Sequence, residues 1–441
     1  MIAIFLWACD EPETTSYKQE TVEIPTPTQQ RHQYDTCEQS LPPVLALHGF
    51  LAAGDTYLSM ENFFVRHGWC EGSFRVLDWN SLSQERFDVV QRIGEEIDAM
   101  TEEYQSEKIV LIGHSAGGGL SLEYLDDSLN HEAIAGYIHL ASFPLATPPS
   151  IPMLNIYSSA DKVVAEASDI TADEEGEALT HVKNVNTEVL DHFEVATHQD
   201  VFAHIKEFFE QELDVEMNEM EASADSTFDI RGKAVYFGEN EIIPQADITV
   251  YELQDAVRTT DEPLYQTQTN NFGLFGPIPV ESDTTYEICL DKSNEPIVCH
   301  LFPYFENTSS VIRLRGVPEE GLAAQMLSSI PLEDTNSVRM VTFSSQQTLI
   351  HDRDSLVLEG EELITQERAT AEDSMIAIFH YDANSDTNSD GDVALFQAFP
   401  FLAGLDQYFA TSEEEPLSLI FQDLEILVPR RENEVMLIQL P

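Results

Sequence analysis

Ile109-Val110-Leu111-Ile112-Gly113-His114-Ser115-Ala116-Gly117 is the stretch that decides the fold of this chain. An apolar strand runs into G-x-S-x-G and then a helix, which is the geometry of a nucleophile elbow. The turn is strained and crowded on both sides, so Gly113 and Gly117 are needed beside Ser115, with His114 holding the loop. Such a turn lifts the Ser115 hydroxyl to the top of a sheet, where a substrate carbonyl can reach it. Roughly 65 residues upstream, Pro43-Val44-Leu45-Ala46-Leu47 is a second apolar strand, ending in His48-Gly49-Phe50. The loop after that strand donates one backbone N–H to an oxyanion and the residue after the nucleophile donates another. Here those donors are Phe50 and Ala116, with His48 and Gly49 shaping the loop.

The remaining partners lie downstream. Asp161 follows the strand Ile151–Tyr157, where an orienting carboxylate belongs, and His192 follows a short strand read at Thr187–Leu190. The chain order Ser115, Asp161, His192 is that of the α/β-hydrolases. In these roles His192 takes and returns the Ser115 proton, and Asp161 fixes the imidazole tautomer. His198 is the rival histidine, but it stands at the start of the helix near Gln199–Leu213 and reads as a surface residue. Asp191 is expected to be solvated. Ala141–Ser150 is too short for a helical cap, which predicts a shallow, open site. Gly54–Arg66 is expected to place Tyr57, Met60, Phe63 and Phe64 on one helical face.

Composition bounds the rest. With 441 residues and 42% hydrophobic content the chain is long enough for two or three domains. Its 80 acidic against 21 basic residues give a net charge of −59. That balance argues against nucleic acid or an anionic membrane as partner, since both need cationic patches. Acid-rich, lysine-poor surfaces also suit a saline habitat; stability indifferent to salt would exclude that idea. No apolar span is long enough to cross a membrane as a helix. Residues 1–9 look like the end of a lipoprotein signal: Leu6-Trp7-Ala8-Cys9 resembles a lipobox, with Cys9 bearing the lipid and anchoring an exported envelope protein. Residues 10–40 read as a polar tether. The other four cysteines are expected to pair as Cys37–Cys70 and Cys289–Cys299, although four cysteines allow three pairings.

Residues 41–213 alternate strand and helix, as a mostly parallel sheet flanked by helices requires. Phe87, Val90, Ile93, Ile97 and Met100 mark one helical face before the elbow strand. Residues 214–227 read as an acidic linker. From residue 228 short alternating strands replace helices, predicting an all-β sandwich or barrel over 228–316, with 317–441 a second module or a continuation. Asp386, Asn388 and Asp390 fit the start of a calcium loop, and Asp392 adds an oxygen; the bland reading is an exposed turn. Phe396–Leu402 reads as an aromatic strand.

After the tether the chain resembles the archaeal and bacterial long-chain carboxylesterases and lipases in which an α/β-hydrolase domain precedes a C-terminal β-domain. The resemblance runs through His48-Gly49-Phe50, Gly113–Gly117, Asp161 and His192-Phe193-Glu194-Val195-Ala196-Thr197, then Phe228-Asp229-Ile230-Arg231-Gly232-Lys233-Ala234. It implies that His192 is the triad histidine and that the β-domain handles long acyl substrates. The leading expectation is an exported esterase or lipase acting on acyl esters or lipids and requiring no cofactor. A second reading keeps the triad for amide, polyester or acyl-glycan bonds. A third is a binding protein on a hydrolase scaffold, which would have no need of all three triad residues.

Overall fold

The computed structural model describes residues 22–23 and 41–440, apart from 84–85, 146, 173–175, 220–225, 306–310, 320, 328–329, 332–335, 371–373 and 400. The first domain is built on six parallel strands: β1 (Val44–Leu47), β2 (Phe74–Leu77), β3 (Ile109–His114), β4 (Ile134–Leu140), β5 (Met153–Tyr157) and β6 (Val182–Asn186). Their spatial order is β2-β1-β3-β4-β5-β6. Strands covered on both faces need apolar side chains at every position, and β1 and β3 are buried throughout. Successive side chains point to opposite faces. Val44, Ala46, Val110 and Ile112 therefore pack with residues of α1 (Leu58–Arg66) and α5 (Gln199–Glu212). Leu45, Leu47, Ile109 and Leu111 pack with α2 (Arg86–Tyr104) and α3 (Ala116–Leu125).

Three local expectations change. Phe87 is 79% exposed, and Val89 rather than Phe87 joins Ile93, Ile97 and Met100 in the core. The strand expected at Thr187–Leu190 lies instead at β6, whose half-exposed Val182-Lys183-Asn184-Val185-Asn186 carries little apolar signal because it is an edge. The acidic linker is not all solvated: Val215 and Met217 pack into the core against α5.

The C-terminal region is all-β apart from the short helix Gly321–Leu327 and a 3₁₀ turn at Phe396–Ala398. Antiparallel strands Thr285–Asp291 and Ile297–Phe302 put Cys289 directly opposite Cys299, and a disulfide joins them. Ile297–Phe302 then pairs in parallel with Glu434–Leu440, which pairs with Arg339–Ser344. One sheet thus runs through both 228–316 and 317–441, making the second stretch a continuation of the same β-domain. Phe401–Asp406 is a strand of this sheet, whereas buried Phe396 belongs to the turn before it. Cys70 is disulfide-bonded; Cys37 and Cys9 lie outside the described residues.

The two domains are joined by charge as well as apolar contact. Arg315 lies against Asp55 with three hydrogen bonds of 2.6–3.2 Å, both side chains 2% exposed. The Arg315 guanidinium also sits 4.5 Å from the Phe343 ring centre. Lys233 reaches Asp78 at 2.7 Å, and Arg231 reaches Glu71 at 3.2 Å. Removing one member of a buried pair strands the other without a partner. Asp55→Ala is expected to lower unfolding stability by about 3–5 kcal/mol, read from the urea midpoint. A midpoint equal to wild type would show that the pair carries none of the domain joint.

Candidate active site

Ser115 stands at the turn between β3 and α3 with φ 53° and ψ −122°, a conformation an L-residue adopts only when its surroundings enforce it. The enforcing contacts are visible. A Cβ on Gly117 would sit 2.3 Å from the Leu47 carbonyl oxygen, and one on Gly113 would meet Ser121 Oγ at 2.6 Å. Ser142 Oγ donates to the Ser115 carbonyl at 2.7 Å. On the other side, the Cβ position of Gly49 is 3.1 Å from Ser115 Cβ, so the loop after β1 lies against the nucleophile turn. Among the described residues, neither the Phe50 N–H nor the Ala116 N–H donates to a protein acceptor.

Asp161, past the end of β5, accepts a hydrogen bond from His192 Nδ1 at 2.8 Å, with side chains 0% and 5% exposed. The other Asp161 oxygen accepts the N–H groups of Val163 and Val164. Burial alone would raise this carboxyl. The His192 hydrogen bond and charge, with those two N–H groups, outweigh it and hold Asp161 below the ordinary carboxylate value. Because Asp161 accepts at Nδ1, the other imidazole nitrogen of the neutral ring is left free to accept a proton. Ser115 Oγ and His192 are not hydrogen-bonded in this structure; such contacts commonly close only with substrate bound. The His192 ring packs 4.8 Å from that of His114, the residue before the nucleophile, and His114 Nε2 donates to the His192 carbonyl at 2.8 Å.

His198 accepts the Asp200 N–H as the N-cap of α5 and takes no part in this cluster. Asp191 is corrected. It is buried, not solvated, and its carboxylate accepts from Phe193 N, Glu194 N, Thr348 N, Thr348 Oγ1 and Arg353 Nη1. The site is also more covered than the absence of a cap suggests: Ser115 is 7% and His192 4% exposed. Cover comes from the other domain. Phe50, Leu51, Ala52 and Phe193 pack into an apolar cluster with Phe237, Phe343, Phe379 and Phe396. Asn240 of the β-domain donates to the Ala52 and Trp79 carbonyls at 2.6 and 3.1 Å. A cavity of 660 Å³ opens one residue from Asp161, between Lys162-Val163 and the aromatic Phe396, Phe399 and Phe401. No sequence signal points to Asn240, Thr348 or Arg353, since their partners are far away in the chain. Asp191 did carry one: Asp191-His192-Phe193-Glu194 has capping-box spacing, and the reciprocal Glu194 Oε2 contact to Asp191 N is made at 2.7 Å.

In the acidic turn Asp382, Asp386 and Asp390 face Asp406, whose carboxyl is raised first by burial and then by their charges. Asp386 caps its own turn through Asn388 N, and Asp392 accepts from Arg368 Nε at 2.6 Å. Among the described residues the only convergent set of ligand-type side chains is Glu287, Cys289 and Cys299. Both cysteines there are in the disulfide, which leaves no thiolate for a metal.

The chain matches three family models. Residues 90–195 match the alpha/beta hydrolase family, and residues 226–317 match the lipase C-terminal domain. A further C-terminal domain model matches residues 338–424. Solved structures with a similar fold include an α/β hydrolase from a sediment metagenome of the Mar Chica lagoon, Morocco (14% identity, 40% of this chain and 93% of that one, TM-score 0.30). An esterase from Exiguobacterium antarcticum aligns at 14% identity over 40% and 93%, with TM-score 0.29. A monoacylglycerol lipase from Paleococcus ferrophilus aligns at 13% over 39% and 95%, with TM-score 0.28.

Buried imidazoles set the acid limit of this fold. Burial pushes His48, His139 and His380 down to about 4, and His114 and His300 to about 3. Below about 6.5 the unfolded chain takes protons that these side chains refuse, so stability is lost as pH falls. Glu61, pushed up to about 7 by burial, acts in the opposite sense, as do Glu194, Glu295 and Asp406, which burial also raises, but of these only Glu61 is shifted as far as the five histidines. The unfolding free energy, read from the urea midpoint, is expected to drop between pH 6.5 and 5 by more than about 1 kcal/mol per histidine. A midpoint that holds or rises over that window would contradict the assignment.

Proposed function

We propose that this chain, an α/β hydrolase followed by a lipase-type C-terminal domain, cleaves carboxylic esters of acyl chains through an acyl-enzyme on Ser115. The observation that carries the reading is the buried Asp161–His192 pair beside the strained Ser115 turn. His192 removes the Ser115 proton as the hydroxyl oxygen attacks the ester carbonyl carbon. The tetrahedral oxyanion takes the Phe50 and Ala116 N–H groups, which no protein acceptor occupies. As it collapses, the bond to the alkoxide breaks, and His192 returns the proton to that leaving oxygen. Water then attacks the acyl group with His192 again as base, releasing the acid and restoring Ser115. Asp161 holds the tautomer and balances the charge that His192 gains in each half. None of these steps calls for a cofactor.

Support for an acyl substrate comes from the aromatic Phe396, Phe399 and Phe401, which share the lining of the cavity beside the Asp161 loop with Lys162, Glu367, Arg368 and Asp392. Export with a lipid on Cys9 belongs to the same proposal. Its support is the Leu6–Cys9 motif and a disulfide, a bond that persists in oxidising compartments. Cys9→Ala should then shift the protein from the membrane fraction to the soluble one, and an unchanged distribution would remove the anchor from this reading.

The principal test is a p-nitrophenyl ester series from short to long acyl chains, in low and high salt. Ser115→Ala is expected to lower kcat on the order of 10⁴–10⁶-fold. A folded wild type that hydrolyses no member of the series, or a Ser115→Ala variant that keeps its rate, would overturn the assignment.

A further inference from the structure

We infer that Arg353 and Thr348 of the β-domain are positioning residues for the reaction, acting on His192 through Asp191; this rests on the reading of Ser115, Asp161 and His192 as the triad. The geometry is specific. Asp191 immediately precedes His192, and its two oxygens face different domains. Oδ1 accepts Phe193 N and Glu194 N, both at 2.8 Å, which closes the turn on which His192 sits. Oδ2 accepts Thr348 N at 3.0 Å, Thr348 Oγ1 at 2.8 Å and Arg353 Nη1 at 2.9 Å, all across the domain boundary. Arg353 is itself fixed. It donates to the Thr348 carbonyl, bonds Asp354 at 3.0 Å through Nε, and lies 3.4 Å from Glu194.

Three hydrogen-bonded supports hold the His192 backbone and ring, and the ring also packs on those of His114 and Phe193. Asp161 takes Nδ1, His114 holds the carbonyl, and the Asp191 turn sets where the main chain enters. The first comes from the loop after β5 and the second from the last residue of β3. The third is completed only by the β-domain. Free of Thr348 and Arg353, Asp191 would keep its turn, but the turn would lose its registration on the rest of the molecule. Displacement of a catalytic base by about 1 Å can cost 10²-fold in rate. The bland alternative is an interface ion pair that adds stability and nothing else. It predicts no change in the chemical step of a folded variant.

Two readouts on the full chain separate these. One is steady-state ester hydrolysis. The other is the rate at which a fluorophosphonate labels Ser115, which requires the activated serine but no ester. Arg353→Met is expected to lower kcat and the labelling rate together, about 10–100-fold, with KM changed less than about twofold. Arg353→Lys should recover part of both, since it keeps the charge but not the planar fork. Thr348→Val keeps the N–H and removes the hydroxyl, so a smaller loss is expected. If Arg353→Met does not fold, the Lys and Val variants carry the test by the same two rates. A folded Arg353→Met with wild-type kcat and labelling overturns the brace alone. A wild type that the reagent does not label overturns the triad and the brace with it. A wild type that is labelled but hydrolyses no ester overturns only the ester reading, and the labelling rates still decide the brace.

Discussion

Gly117 lies against the end of β1 so closely that a Cβ there would sit 2.3 and 2.5 Å from the Leu47 and His48 carbonyl oxygens, tighter than at any other described glycine of the first domain. This contact lets the first turn of α3 press onto the strand that leads into the His48–Leu51 loop. The two N–H donors proposed for the oxyanion, Phe50 and Ala116, come from the two segments that this contact clamps together. The strained φ of Ser115 follows from the same constraint. The chain must turn within one residue, because Gly113 on one side and Gly117 on the other are already against backbone. The parallel sheet beneath supplies rigidity, since β1 and β3 are neighbours with fixed register from Val44–Val110 to Leu47–Gly113.

The β-domain takes hold of this machinery at two places. Arg315 and Asn240 grip the segment after β1, through Asp55 and the Ala52 carbonyl. Thr348 and Arg353 grip the segment that carries His192, through Asp191. In a chain with only 21 basic residues against 80 acidic ones, this use of cations is informative. Arg231, Lys233, Arg315 and Arg353 all pair with carboxylates of the other domain. Asp78 shows the consequence: burial would raise its carboxyl, yet Lys233 and Arg313 hold it far below the ordinary range. Added salt screens an exposed pair such as Arg66–Glu219 far more than the nearly solvent-free Asp55–Arg315.

Much of the catalytic domain was legible because its signals are local. Fully buried strands write themselves as apolar runs, and G-x-S-x-G requires its glycines within two residues of the serine. Asp161 followed from the end of β5, and His192 from its place in the chain ahead of the helix Gln199–Glu212, since the strand expected just before it lies at Val182–Asn186. What stayed hidden was non-local. β6 is a polar edge, so its pattern resembled a loop. Phe87 fitted the periodicity of α2 yet projects beyond the sheet it was expected to cover. The covered site was invisible because its walls come from residues more than 180 positions from Phe50, such as Phe237 and Phe343. Asp191 was misplaced for the same reason. Its capping-box partner Glu194 could have been read, but Thr348 and Arg353 could not. For the β-domain, alternation located most strands. The parallel return of Glu434–Leu440 beside Ile297–Phe302, which fuses the two stretches into one sheet, had no local mark.

The histidines around Ser115 show how burial divides labour among chemically identical groups. His48 Nε2 accepts the Trp79 N–H, so its proton is on Nδ1, where it meets the Gly49 carbonyl. His114 has the opposite tautomer: a carbonyl can only accept, so Nε2 carries the proton that reaches His192. Burial keeps both neutral, at about 4 and about 3. Neutrality matters most for His114, whose ring is 4.8 Å from that of His192. On the proposed mechanism, a charged His114 would oppose the imidazolium that forms on His192 during attack. A neutral one leaves Asp161 as the dominant charge felt there and still supplies the hydrogen bond that fixes the His192 main chain. On the proposed mechanism, the same burial that lowers acid stability would therefore keep the mobile proton on a single residue.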